Sequence, residues 1–95
     1  MNCSVVVQEP VYEFARRLAP EPRRAVKRAL LDLRKEQGDI RELDGSLSGY
    51  CRLRIGKYRL IFRYVSRSTI EAVFLEERSM VYEVFATELL KKLKG

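Results

Sequence analysis

The sequence predicts an α+β domain of order β-α-α-β-β-β-α, with helices against a mainly antiparallel sheet. Three observations carry this. Two amphipathic helical patterns follow a short β-branched run, a glycine turn joins two strictly alternating segments, and a last helical stripe follows a third strand-like segment. The chain has 95 residues, so the expectation is one domain over residues 1–95.

"CSVVVQ" (3–8) reads as a strand because it is short and β-branched. Glu9-Pro10 opens a helix, with proline near the first turn where its missing N–H costs little. Val11, Phe14, Ala15 and Leu18 share one face of that helix. "APEP" (19–22) breaks it and starts another, in which Val26, Ala29, Leu30 and Leu33 repeat the spacing and Gly38 is placed as the C-terminal cap. The opposite side of this second helix carries Arg23, Arg24, Lys27, Arg28, Arg34 and Lys35, read as a solvated face that is able to touch RNA. "DIRELDGSLSG" (39–49) reads as a loop rich in turn residues.

In "YCRLRIGKYRL" (50–60) the alternation has the period of a half-buried strand, and Gly56-Lys57 suits a two-residue type II′ hairpin turn. This register faces Ile55 with Tyr58, Arg54 with Arg59, Leu53 with Leu60, Arg52 with Ile61, Cys51 with Phe62 and Tyr50 with Arg63. Cys51, Leu53, Ile55, Tyr58, Leu60, Phe62 and Tyr64 then form an apolar side, and Tyr50, Arg52, Arg54, Arg59, Ile61 and Arg63 the other. "IEAVFLEE" (70–77) continues as a third strand with apolar residues on both sides, so its buried side stays open. Ser79 is placed as the cap of a final helix whose stripe runs through Tyr82, Phe85, Ala86, Leu89 and Leu93.

The net charge is +6, and residues 50–67, with Arg52, Arg54, Lys57, Arg59, Arg63 and Arg67 and no acid, hold all of it. Charge concentrated in this way is expected of a surface for an acidic partner. The alternative is a solvated strand face whose arginine stems cover apolar surface. Facing like charges destabilise a sheet, and phosphate relieves that repulsion through the planar guanidinium fork.

Several classes are excluded. There is no histidine to serve as base, ligand or neutral-pH switch, no CxxC pair, and no glycine pattern for a nucleotide. The expectation is therefore no cofactor and no metal. No apolar run is long enough to cross a bilayer, and "MNCSVVVQEP" lacks a signal-peptide pattern, so no membrane partner is expected and the location is read as cytoplasmic. Cys3 and Cys51 are expected as buried free thiols.

"LDGSLSGYCRLRIGKYRLIFRYV" followed by "EERSMVYEVF" resembles the RelE/ParE toxins of bacterial toxin–antitoxin systems. The shared order is a leucine-glycine loop, a basic strand, a glycine turn, a Tyr-Arg pair, and Arg-Ser-x-x-Tyr before the last helix. The resemblance implies a small toxin neutralised by a cognate antitoxin. In the RelE branch, favoured here, it implies metal-independent cleavage of messenger RNA in the ribosomal A site; in the ParE branch, inhibition of DNA gyrase. A decayed member that only binds its antitoxin is the third possibility. By position, Arg52 and Arg54 match the basic-strand residues, Arg59 the catalytic arginine of the Tyr-Arg pair, Tyr82 the C-terminal tyrosine and Arg78 a nearby arginine. Glu76 departs from a further catalytic arginine, although other ribosome-dependent members use glutamate or histidine.

The bland readings are that Tyr82 belongs to the core and that Arg78 only pairs with Glu76 or Glu77. Tyr50, Lys57 and Arg63 are candidate RNA-binding residues, Tyr50 by stacking on a base. Arginine stabilises charge but donates protons poorly, and tyrosine and carboxylate groups need shifted pKa values to act as acid or base. A chain so short of acid–base groups is expected to depend on positioning by the ribosome and to cleave free RNA little.

Overall fold

A computed structural model describes residues 2–77 and 80–94, with the side chains of 92–94 excepted. The elements run β1 (Ser4–Val7), α1 (Glu9–Arg16), α2 (Pro20–Leu33), β2 (Asp39–Glu42), a 3-10 turn at Gly45–Leu47, β3 (Cys51–Ile55), β4 (Tyr58–Ser66), β5 (Thr69–Glu77) and α3 (Val81–Lys94). They form one five-stranded sheet of order β1-β5-β4-β3-β2. Only β1 runs parallel to its neighbour, β5; the other pairs are antiparallel. The predicted α+β class holds. Among the described residues, no helix is long and apolar enough to cross a membrane.

The hairpin register is the predicted one from Cys51–Phe62 to Ile55–Tyr58. Its apolar side meets α1 and α2 in a core that includes Leu53, Leu60, Phe62, Val11, Val26 and Leu33. Tyr64 is the exception on that side. It is 43% exposed, and its hydroxyl donates to Glu36 Oε1 at 2.7 Å. The other side of the sheet holds a smaller core of Ile61, Phe74, Val81 and Phe85, made by α3.

The two-sided apolar pattern of 70–77 has a simple cause. Ile61 faces Phe74 but Phe62 faces Ala72, so Val73 is an extra residue, a β-bulge. The bulge exchanges odd and even positions, which lets Ile70, Ala72 and Leu75 enter the α1/α2 core while Phe74 turns to α3.

Three local expectations need correction. Residues 39–42 are a strand, not a loop: Ile40 packs against the larger core opposite Leu53. Gly38 does not cap α2, which ends at Leu33 with Arg34 in a helical cap conformation. Its φ of +132° and the 2.6 Å that would separate an added Cβ from Leu53 Cδ1 explain a glycine there instead. The apolar stripe of α3 is shifted by one residue, with Val81 and Phe85 buried and Tyr82 exposed. Ser79, placed as the cap, and Leu93, at the stripe's end, lie outside what is described. Cys3 and Cys51 are free and buried, as expected.

Candidate nucleic-acid interface

Strand register builds the site. Asp39 faces Arg54, Arg54 faces Arg59 and Arg59 faces Glu76, so one line across β2-β3-β4-β5 reads acid, arginine, arginine, acid. The next line reads Arg41, Arg52, Ile61, Phe74. Facing residues share a side, so these arginines do converge on the α3 side of the sheet. The face is not free of acid, as residues 50–67 alone suggest. Asp39, Glu71 and Glu76 come from the flanking strands; sequence reasoning misses Asp39 because β2 reads as a loop, and Glu71 and Glu76 because the shifted register of β5 on β4 is not readable. The alternation of Asp39 and Arg41 around Ile40 is the available signal.

The arginines differ in freedom. Arg52 is buried, 9% exposed, and its Nη1 donates to the backbone carbonyl of Asp39 at 3.1 Å. The same nitrogen lies 3.3 Å from Asp39 Oδ1, while Arg54 Nη1 lies 3.9 Å from Oδ2. One carboxylate thus serves two guanidinium groups. Arg59 is half-buried and donates through Nη1 to the carbonyls of Gly56 and Tyr58, both at 2.9 Å, which folds it back over the turn. Arg63 Nε donates to Glu71 Oε1 at 2.8 Å, and Gln8 holds the other carboxylate oxygen at 2.6 Å. The Arg63 guanidinium also lies 6.0 Å from the centroid of Tyr50, within reach of a cation–π contact.

Tyr50 is half-buried, edge-on to Phe85 at 5.1 Å. With Gln8, Arg63, Glu71, Phe74 and Phe85 it lines a cavity of ≈ 340 Å³ beside α3. Lys57 lies at the hairpin tip, 5.5 Å from the Tyr58 ring and 4.0 Å from Glu77, and lines a hollow with Glu21, Pro22 and Ala25 at the start of α2. Tyr82 is 39% exposed in the first turn of α3, and its hydroxyl makes no hydrogen bond among the described residues. Arg78 lies outside the described residues. The geometry thus gathers Arg52, Arg54 and Arg59, places Tyr50 and Arg63 together beside them, and sets Lys57 toward α2.

Two groups on the α1/α2 side have perturbed acidity. Burial pushes the Cys51 thiol up, with Glu42 adding to it. Burial first, and then the Glu36 hydrogen bond, raises Tyr64 well above the usual phenol value. Both groups are held neutral, so neither supplies a reactive anion to the arginine face.

No family model matches the chain, and no curated protein matches it. Solved structures do. The RelBE2 toxin–antitoxin complex of Mycobacterium tuberculosis matches with a TM-score of 0.73 and 23% identity, over 82% of this chain and 100% of the matched chain. The RelE–RelB complex of Pyrococcus horikoshii matches with a TM-score of 0.66 and 23% identity, over 82% and 97%. The YoeB dimer of Staphylococcus aureus matches with a TM-score of 0.64 and 15% identity, over 82% and 99%. The likeness read from the glycine-turn hairpin and the last helix is therefore present in three dimensions, and the chain has the fold of the RelE toxins.

Proposed function

We propose that the chain is the toxin of a toxin–antitoxin pair, a ribosome-dependent and metal-independent endoribonuclease acting on messenger RNA. The observation that carries this reading is the line of facing residues Asp39, Arg54, Arg59 and Glu76 on a sheet of RelE-toxin fold. In this reading the messenger lies along the arginine face, with phosphates on Arg54 and Arg59.

Attack by a ribose 2′-oxygen forms the 2′-O–P bond and breaks the P–O5′ bond. The 2′-proton must leave, and the 5′-oxygen must gain one. Arg59 stabilises the charge on the pentavalent phosphorus, a task suited to a guanidinium whose direction is fixed by two turn carbonyls. Glu76 is beside Arg59 in register, and in this reading its carboxylate takes the 2′-proton. The Tyr82 hydroxyl, exposed at the start of α3, is the group offered to the leaving oxygen. This set contains no strong acid–base pair, so most of the acceleration must come from orientation, which the ribosome supplies.

The partner in the cell is an antitoxin that covers the arginine face with a segment of opposite charge. The test is the purified chain incubated with messenger-programmed ribosomes and, in parallel, with the same RNA alone. Cleavage on ribosomes, little on free RNA and arrest of translation on induction are expected. Normal translation with a DNA-damage response on induction would overturn the reading in favour of gyrase inhibition.

A further inference from the structure

We propose that Asp39 is a positioning residue that ties Arg52 and Arg54 into one phosphate-receiving unit. It uses three oxygens for this: its backbone carbonyl accepts from Arg52 at 3.1 Å, Oδ1 pairs with Arg52 at 3.3 Å, and Oδ2 faces Arg54 as an ion pair at 3.9 Å. The two arginines differ sharply in exposure, with side chains 11% and 53% exposed. Arg52 is thus the buried anchor, Asp39 the link, and Arg54 the member that reaches out.

Register explains the arrangement. Asp39 is directly opposite Arg54, and Arg52 reaches it diagonally from the position facing Arg41. Arg41 and Arg52 are a like-charged facing pair, which destabilises a sheet, so turning Arg52 toward Asp39 takes it away from Arg41. The unit carries a net charge of +1, which matches one phosphodiester. A guanidinium presents more donors than one carboxylate oxygen occupies, so N–H groups of Arg54 remain for the ligand. Without the carboxylate, the same two arginines would carry +2 and repel each other; Arg52 would keep only its bond to the backbone carbonyl, and Arg54 would lose its fixed direction. Binding to RNA would strengthen while the aim at the scissile phosphate worsened.

This inference rests on the ribonuclease reading for its cleavage readout but not for its binding readout. The experiment compares wild type, Asp39→Asn and Asp39→Glu. The first measurement is binding of a single-stranded 2′-O-methyl oligonucleotide, which cannot be cleaved, across a series of salt concentrations. The second is kcat and KM on programmed ribosomes, with thermal unfolding alongside. Asp39→Asn is expected to bind more tightly, with a salt exponent larger by about 0.7, and to lose about tenfold in kcat while KM falls. Asp39→Glu is expected to restore the wild-type exponent. A merely structural aspartate would leave the exponent unchanged and lower activity only as the folded fraction falls, and either result overturns the proposal. A wild type that binds the oligonucleotide but cleaves nothing overturns the ribonuclease reading and leaves the exponent to decide on Asp39. A wild type that does not bind the oligonucleotide overturns both.

Discussion

Arg52, Arg54 and Arg63 lie 3.3, 3.9 and 2.8 Å from carboxylates of flanking strands. Arg24, Lys27, Arg28, Arg34 and Lys35, exposed on α2 and just beyond it, have no ion pair among the described residues. The two regions lie on opposite sides of the sheet, since α1 and α2 cover one side and the arginine line is on the other. The same kind of side chain therefore has two physical roles. On the sheet, carboxylates hold guanidinium groups in direction and cancel part of their charge, which suits short-range recognition. On α2 these cations are exposed and held in no ion pair among the described residues, which suits long-range attraction of a polyanion. Local charge in the sequence, all within 50–67, does not reveal this, because the neutralising acids belong to other strands.

The sharpest way to break the comparison is to remove a positioned group. Arg59→Ala is expected to lose about 10²–10³ in rate on programmed ribosomes. The relief of repulsion from Arg54 is offset, because Glu76 faces Arg59 and two turn carbonyls depend on it. The fold should therefore remain intact with no gain in melting temperature. Arg67, in the exposed turn after β4, is the control. Equal losses from Arg59→Ala and Arg67→Ala would mean that the sheet arginines act as bulk charge.

A second test disturbs the sheet unit without changing any charge. Gly38→Ala forces a side chain into left-handed backbone at φ +132° and toward Leu53 Cδ1 at 2.6 Å. Leu53 is 2% exposed and stands between Arg52 and Arg54 on β3, so it has little room to yield. The expected cost is about 1–3 kcal/mol in thermal or urea unfolding, with catalysis reduced more than attraction to RNA. An unchanged melting temperature would show that Leu53 repacks freely.

How much of this is legible in the sequence follows from how local each signal is. The hairpin register is readable because turn and alternation lie within about a dozen residues. So is the side on which the arginines emerge. Strand β2 is not, because "DIRE" offers one apolar residue and a sheet edge asks for no more. The Val73 bulge is hidden because one extra residue reverses parity without altering composition. The helical spacing puts Tyr82 on the apolar stripe because a shift of one position still leaves Phe85 and Leu89 on it; Val81 and Phe85 are the buried pair instead. The acids that define the candidate site meet its arginines through strand pairing: Asp39 through a strand that reads as a loop, Glu71 and Glu76 through a register that the irregularities of β4 and β5 conceal.

A third test addresses α2. Replacing Arg24, Lys27 and Arg28 together by glutamine should weaken association with ribosomes about tenfold at low salt. It should also flatten the salt dependence by roughly 0.7–0.9 for each phosphate no longer neutralised. Turnover at saturating ribosome concentration should be unchanged, since none of the three touches the sheet face. A fall in kcat with no change in the salt exponent would reverse the roles given to the two regions.

The smallest expected effect lies at the seam between them. Tyr64 on β4 donates its hydroxyl to Glu36, the residue after Lys35, which holds a left-handed φ of 55°. Burial and this bond raise the pKa of Tyr64 in the folded state above its ordinary value near 10. A raised folded value means the folded chain keeps its proton longer than the unfolded chain. The contribution to stability is thus complete below about pH 10 and declines as pH rises toward the folded value. Tyr64 is 43% exposed, so solvent screens the effect. Tyr64→Phe should cost less than about 1 kcal/mol at neutral pH. Its larger consequence should be in the pH profile: between roughly pH 10 and 11, wild type should lose more stability per pH unit than the variant. Parallel curves for the two proteins in that window would show that the Tyr64–Glu36 bond does not persist in solution, and that α2 and the sheet are joined there by packing alone.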